Sequence, residues 1–221
     1  MAIKGFSILL VLYHHLFYCN PKYLPNIFGI PLFFKLSVAA KVGVAIFLIL
    51  SGYGLTESIK RRPFVVTDFY RHRFLKLLTP YWTIFVIFVS INVYFFNHPL
   101  TASYGDKNTY LKLATEFLGL HMFSFGYGYN PTWWFMSLII FLYVAYPFFY
   151  AIVKGLGFLS LLLLFWALYF NVIARESWLR PWLLPFAIGI YSSLNLTEQA
   201  KQNISTFLQK KIVYMLILPV L

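Results

Sequence analysis

Six runs of 14 to 20 residues along this chain are almost wholly uncharged, with Lys41 the one Lys, Arg, Asp or Glu in any of them. They span Gly5 to Cys19, Val38 to Leu55, Leu77 to Phe96, Trp134 to Ile152, Leu156 to Ala174 and Leu183 to Leu196. A helix needs about 20 predominantly apolar residues to cross the hydrocarbon core of a bilayer, with roughly 17–25 usual. A seventh run begins at Ile212 and reaches Leu221. Composition agrees. Soluble chains carry about 25% charged and about 45–50% apolar residues, whereas this one is 11% charged and 61% hydrophobic with a mean hydropathy of +0.74. Such a chain cannot cover itself with polar surface, which excludes a soluble enzyme. Cys19 is the only cysteine, which excludes a disulfide-stapled domain. The expected fold is all-α: a polytopic transmembrane helix bundle of six spans plus the start of a seventh.

The first run follows Lys4 as the core of a secretory leader would. No small-residue cleavage site follows it, and His14 and His15 stand where an apolar core should continue. It is expected to be a span.

A net charge of +12 raises the question of nucleic acid. The charges sit in short groups between the apolar runs, the pattern by which Lys and Arg retain loops on the cytoplasmic side. Between Lys60 and Lys76 the chain places Lys60, Arg61, Arg62, Arg71, Arg73 and Lys76 against Asp68 alone. Lys154, and then Lys201, Lys210 and Lys211 against Glu198, follow on the same side. The alternate connections are mixed in charge (Asp106, Lys107, Lys112 and Glu116, then Arg175, Glu176 and Arg180), and only Lys22, Lys35 and Lys41 dissent. The N-terminus is therefore expected in the cytoplasm and the connection from Asn97 to Trp133 outside. In that connection, turn signals flank one amphipathic piece, Leu111 to Phe123. No nucleic-acid partner is expected; the bilayer is.

No Walker loop, GxGxxG, HExxH or GxSxG is present, and no His, Cys and carboxylate cluster has metal-ligand spacing, so no metal is expected. Attention falls on polar residues inside the runs. Lys4 and His15 are eleven residues apart, about three turns, so both project from one helical face about 16 Å apart along the axis, while His14 points about 100° away. An imidazole at membrane depth is a functional candidate or a hydrogen bond between helices. Arg73 and Lys76, three apart, share a helical face, with Arg71 and His72 just before them. Such a cluster suits phosphates, and it equally suits topology retention or lipid headgroups. Gly43, Ser51, Gly52 and Gly54 are small residues that permit close helix approach. His98 and His121 read as ordinary polar positions of the outer connection.

Four stretches together resemble the family-3 integral membrane acyltransferases, which O-acetylate bacterial surface polysaccharides and related glycans. Lys4, a ten-residue spacer and His15 resemble the family's basic residue and catalytic histidine. Val42 to Gly54, with Ser51-Gly52, resembles its second-helix Phe-x-x-Ser-Gly signature with one extra residue before the serine. Arg73 and Lys76 ahead of Pro80 and Tyr81 resemble its basic pair before a proline and aromatic, and Trp134 to Pro147 its fourth motif. One branch of the family carries glutamates in that motif, where Ile139 and Ile140 stand here. The resemblance runs through nearly the whole chain, read as one acyltransferase-like domain over residues 1–221. Family members have more spans than these, so the chain is expected to be the N-terminal part of a longer one.

The resemblance implies an enzyme of the bacterial cytoplasmic membrane that uses acetyl-CoA or another acyl-CoA as donor and a hydroxyl of a surface glycan as acceptor. It casts His15 and Lys4 as catalytic, and Arg73, Lys76 and Arg71 as holding the donor's phosphates. His15 would act as general base or as acyl carrier. Two rival readings stand beside it. One is a transporter or flippase for glycans or lipid-linked sugars, although the paired halves typical of transporters are not visible; the other is a non-catalytic fragment.

Overall fold

The computed structural model describes residues 2–18, 31–61, 65–172, 178–197, 199–200 and 206. The expected seventh run from Ile212 lies outside the described residues, as do Lys22, Arg62, Arg175, Glu176, Glu198, Lys201, Lys210 and Lys211. The described residues contain helices and no strand. In chain order the helices are α1 (Ala2–Tyr18), α2 (Leu32–Ala39), α3 (Val42–Lys60), α4 (Val66–Tyr94), α5 (Leu100–Tyr104) and α6 (Thr109–Phe117). Then come α7 (His121–Ser124), a 3₁₀ turn over Pro131–Trp133, α8 (Trp134–Leu156), α9 (Phe158–Tyr169) and α10 (Arg180–Asn195). The chain forms two compact units, residues 1–62 with 149–221, and residues 63–148.

Among the described residues each of the six apolar runs contains helix, and three helical stretches are long and apolar enough to cross a membrane: Leu32–Lys60, Val66–Tyr94 and Pro131–Leu156. The first of these joins α2 to α3 across Ala40 and Lys41. Both residues keep right-handed helical torsions, and amides 43 and 44 bond carbonyls 40 and 41, a local tightening of the helix. The basic stretch before Leu77 proves to be helix, because α4 begins at Val66, eleven residues earlier than the apolar run. The fifth run is corrected in the other direction. Glycine at 157, with φ +56°, precedes α9, and Asn171, with φ +57°, follows it. Its 12 residues extend about 18 Å, short of a core about 30 Å thick.

In the unit of residues 1–62 and 149–221, α3 lies directly against α10. A Cβ on Gly52 would collide with the Phe186 carbonyl oxygen, and one on Gly189 with that of Ile49, so the two backbones touch where side chains are missing. Around this seam Leu48, Leu55, Phe186 and Ile190 are fully or almost fully buried. Gly54 meets nothing and has no part in it. The Glu57 carboxylate accepts from Lys60 at 3.3 Å and from the Ser193 hydroxyl at 2.8 Å, tying the end of α3 to α10. In the unit of residues 63–148, Phe69 stacks on the buried Tyr146, and the Tyr70 hydroxyl donates to the Val144 carbonyl at 3.0 Å, joining α4 to α8.

Large apolar side chains stand exposed in rows: Ile84, Val86, Ile87 and Ile91 on α4, and Leu159, Leu162, Leu163 and Trp166 on α9. In water such continuous apolar surface would drive aggregation; against lipid it costs nothing.

Candidate functional site

The histidine pair is positioned by the packing of α1 on α3. Gly43 lacks the Cβ that would stand 2.8 Å from both the Ser7 carbonyl oxygen and the Leu10 Cβ, so the two helices meet at Ser7, which is buried. One turn-pair further along the same face comes His14. Its Nδ1 donates to the Ser37 carbonyl at 2.7 Å, and Ser37 is itself fully buried. A carbonyl can only accept, so the His14 proton sits on Nδ1. The ring also packs on Tyr18, which stacks on Phe34 and lies under the Lys41 ammonium. His14 therefore serves the α1–α2 junction.

His15 stands one step round the helix. It is half-buried, meets the His14 ring edge-on with centroids 5.1 Å apart, and makes no hydrogen bond among the described residues. Lys4, on the same side of α1, is exposed and has no carboxylate partner among them. The helix brings Lys4 and His15 to a common face, as their spacing requires.

The basic cluster lies in the other unit, on the first turns of α4. Arg73 is half-buried, its guanidinium 5.9 Å from the centre of the Phe69 ring, and Lys76, one turn on, is exposed. Arg71 is also exposed, but two residues from Arg73 it stands about 160° round the helix. Among the described residues none of the three is paired with a carboxylate. His72 Nδ1 donates to the Asp68 carbonyl, four residues back, at 2.8 Å. The structure thus presents Arg73 with Lys76, and sets Arg71 apart from them.

A third constellation lies in the connection between α4 and α8. The amphipathic piece expected from Leu111 to Phe123 divides at Gly119, whose φ of +71° ends the helical run, leaving α6 and α7. Glu116, only 2% exposed, points inward from α6. Its carboxylate accepts the Tyr104 hydroxyl, the Tyr129 amide at 2.8 Å and the Asn130 amide at 3.4 Å. Its carbonyl takes the Tyr81 hydroxyl at 2.6 Å. A Cβ on Gly128 would strike that carboxylate, so any larger residue there has to displace it. His121, 4% exposed, donates from Nδ1 toward the Lys112 carbonyl at 3.1 Å and lies 3.0 Å from Thr115 Oγ1. Burial and the bond to Glu116 push the Tyr104 phenol well above its usual pKa, so it remains a donor. A cavity of about 10 Å³ beside Glu116, His121 and Ser137 has room for about one water. These groups fasten residues 129 and 130, and with them the start of α8, to α6.

A search of known families matches residues 2–219 to an acyltransferase domain, that of the acyltransferase 3 family. The chain belongs to the acyltransferase 3 family. No curated protein and no solved structure matches it. For an acyltransferase 3 chain with apolar spanning helices, membrane acyl transfer is the activity in question, and the family resemblance of Lys4, His15, Arg73 and Lys76 takes its meaning from that. Glu116 and His121 carry no such resemblance. The one sign of them in the sequence is that Thr109, Leu113 and Glu116 fall on a single helical stripe, which puts a carboxylate where an apolar residue belongs.

Proposed function

We propose that this protein transfers an acyl group, acetyl in the simplest case, from acyl-CoA at the cytoplasmic face of a bacterial inner membrane to a hydroxyl of a surface glycan. The observation that carries the reading is the state of His15 in a chain of this family. It is an imidazole on the apolar helix α1, half-buried, with no hydrogen bond among the described residues, and its neighbour His14 is already committed to Ser37. A neutral imidazole so placed has a nitrogen lone pair to offer. The acceptor hydroxyl gives its proton to His15 as its oxygen attacks the thioester carbonyl carbon. The adduct then expels the thiolate, which takes that proton from the imidazolium, and the ester remains on the acceptor. Arg73 and Lys76, which lack carboxylate partners among the described residues, offer a fork and a point charge to the donor's phosphates. Arg71, on another side of α4, would add positive potential there, and Lys4, exposed on α1, would act on the helical face it shares with His15.

The test uses the protein in lipid nanodiscs with radiolabelled acetyl-CoA, following free thiol and label on added glycan. Thiol release with labelling of glycan hydroxyls is expected. The double charge reversal Arg73→Glu with Lys76→Glu should raise the Michaelis constant for the donor far more than that for the acceptor. Absence of thiol release above a no-protein control sinks the reading, and an unchanged donor constant returns the two residues to retention of the loop.

A further inference from the structure

An open groove of about 620 Å³ lies where the end of α4 meets α5 and α6. Its volume falls within the roughly 300–1,000 Å³ of ordinary ligand sites. Val93, Leu100 and Leu111 supply its apolar wall, and Thr101, Asp106 and Asn108 its hydrogen-bonding groups. Tyr110 completes the lining with a ring 81% exposed. The groove is held in shape from behind. Tyr104, 4% exposed, gives its hydroxyl to Glu116 and takes Lys112 on its carbonyl, so the turn carrying Asp106 and Asn108 is pinned at its root. Asn108 itself sits at φ +60°, a left-handed position that asparagine tolerates.

The chemistry of the lining selects a ligand. Among the described residues that line the groove, Asp106 alone is charged. Lys112, the cation nearest in sequence to the lining on α6, is turned to the Tyr104 carbonyl, and Lys107 is not part of the lining. Phosphate and carboxylate ligands therefore meet the Asp106 carboxylate and no cation among the lining residues. A carboxylate accepting from adjacent hydroxyls, an amide that both gives and accepts, and an open aromatic face for C–H surface together suit a neutral sugar. Just beyond Val93, Tyr94 and Phe95 are each 80% exposed, as aromatic residues at a membrane–water interface are. The groove thus opens at the level where α4 leaves the apolar layer.

We propose that this groove binds a neutral saccharide and is the docking site of the glycan acceptor. The acceptor role rests on the acyl-transfer reading; saccharide binding stands without it. The protein in lipid nanodiscs is passed over an array of neutral, phosphorylated and carboxylated glycans. Neutral glycans should be retained. Asp106→Ala should weaken retention about ten- to a hundredfold, the scale of one hydrogen bond to a charged group. Tyr110→Ala should weaken it as well, while Tyr110→Phe, which keeps the ring, should not. Both side chains are on the surface, so none of the three variants threatens folding. Retention of no glycan, preference for the anionic ones, or wild-type retention by Asp106→Ala and Tyr110→Ala overturns the proposal. Presenting the same neutral sugars free and on an alkyl anchor identifies the source: binding of the free sugars marks a polysaccharide chain, and binding of the anchored form alone a lipid-linked glycan. Retention by a protein that releases no thiol from acetyl-CoA would support the groove and sink the acyl-transfer reading. Transfer to glycan with unchanged retention in the variants would do the reverse.

Discussion

His14 and His15 are adjacent in sequence and differ in everything that matters chemically. His14 donates to the Ser37 carbonyl, whereas His15 has both ring nitrogens uncommitted among the described residues. His15→Ala is expected to lower acyl transfer by about 10²–10⁴, the contribution of a positioned general base. His14→Ala would also unfasten α1 from α2, so the better control is His14→Asn, which keeps a donor close to the place of Nδ1. Most of the activity should survive in His14→Asn; equal losses in it and in His15→Ala would make the pair structural. A second prediction concerns Tyr104, whose phenol is held protonated by burial and by Glu116. Tyr104→Phe leaves a buried carboxylate short of a donor and should cost about 1–3 kcal/mol in thermal unfolding. Because the folded pKa lies above the unfolded value of about 10, this stabilisation is complete below pH 10 and fades as the pH rises through the folded value. The gap between wild type and Tyr104→Phe should therefore narrow only in alkali; a gap that closes near neutrality contradicts the assignment. The candidacy of His15 was legible because a spacing of eleven residues is a property of any helix. That of Glu116 was not, since its donors, Tyr104 and Tyr129, are twelve and thirteen residues away and arrive through turns.

Helices α3 and α10 pass each other at Gly52 and Gly189, where backbone meets backbone. Gly189→Ala must push the pair apart, an overpacking that typically costs about 1–3 kcal/mol. Gly54→Ala, on the same helix as Gly52 but facing open space, should be neutral or stabilise by up to about 1 kcal/mol, since alanine is the better helix former. Thermal stability in nanodiscs compares the two, and equal effects would argue against the seam. Apolar runs located the cores of the helices well and their ends poorly. The start of α4 at Val66 and the end of α9 at Tyr169 depend on where backbone amides find partners, which hydropathy does not record. Gly119 divides α6 from α7 for a reason visible in outline, since glycine readily takes positive φ. The choice of that glycine over Gly126 or Gly128 as the break belongs to the tertiary fit, with Gly119 lying against Ile140.

At the scale of the whole chain, the loop charges carry a prediction of topology. With Cys19 replaced by serine, single cysteines at Ser103 and Ser205 should be labelled from opposite sides, Ser103 by an impermeant reagent applied outside; labelling from one side would sink the expected number of spans. By itself the sequence determined that this is a helical membrane protein, where the cores of its longest helices lie, and that Lys4 shares a face with His15. Each of these follows from short-range rules: the cost of placing side chains in lipid adds up residue by residue, and helical phase is a matter of counting. The tertiary structure alone decided which face of α1 meets α3, which imidazole is consumed by packing, and that Glu116 holds the connection together. Between helices already in lipid there is little hydrophobic gain left. What remains is close backbone approach at residues such as Gly43 and hydrogen bonds such as His14 to Ser37, and both are properties of pairs that no single stretch of sequence contains.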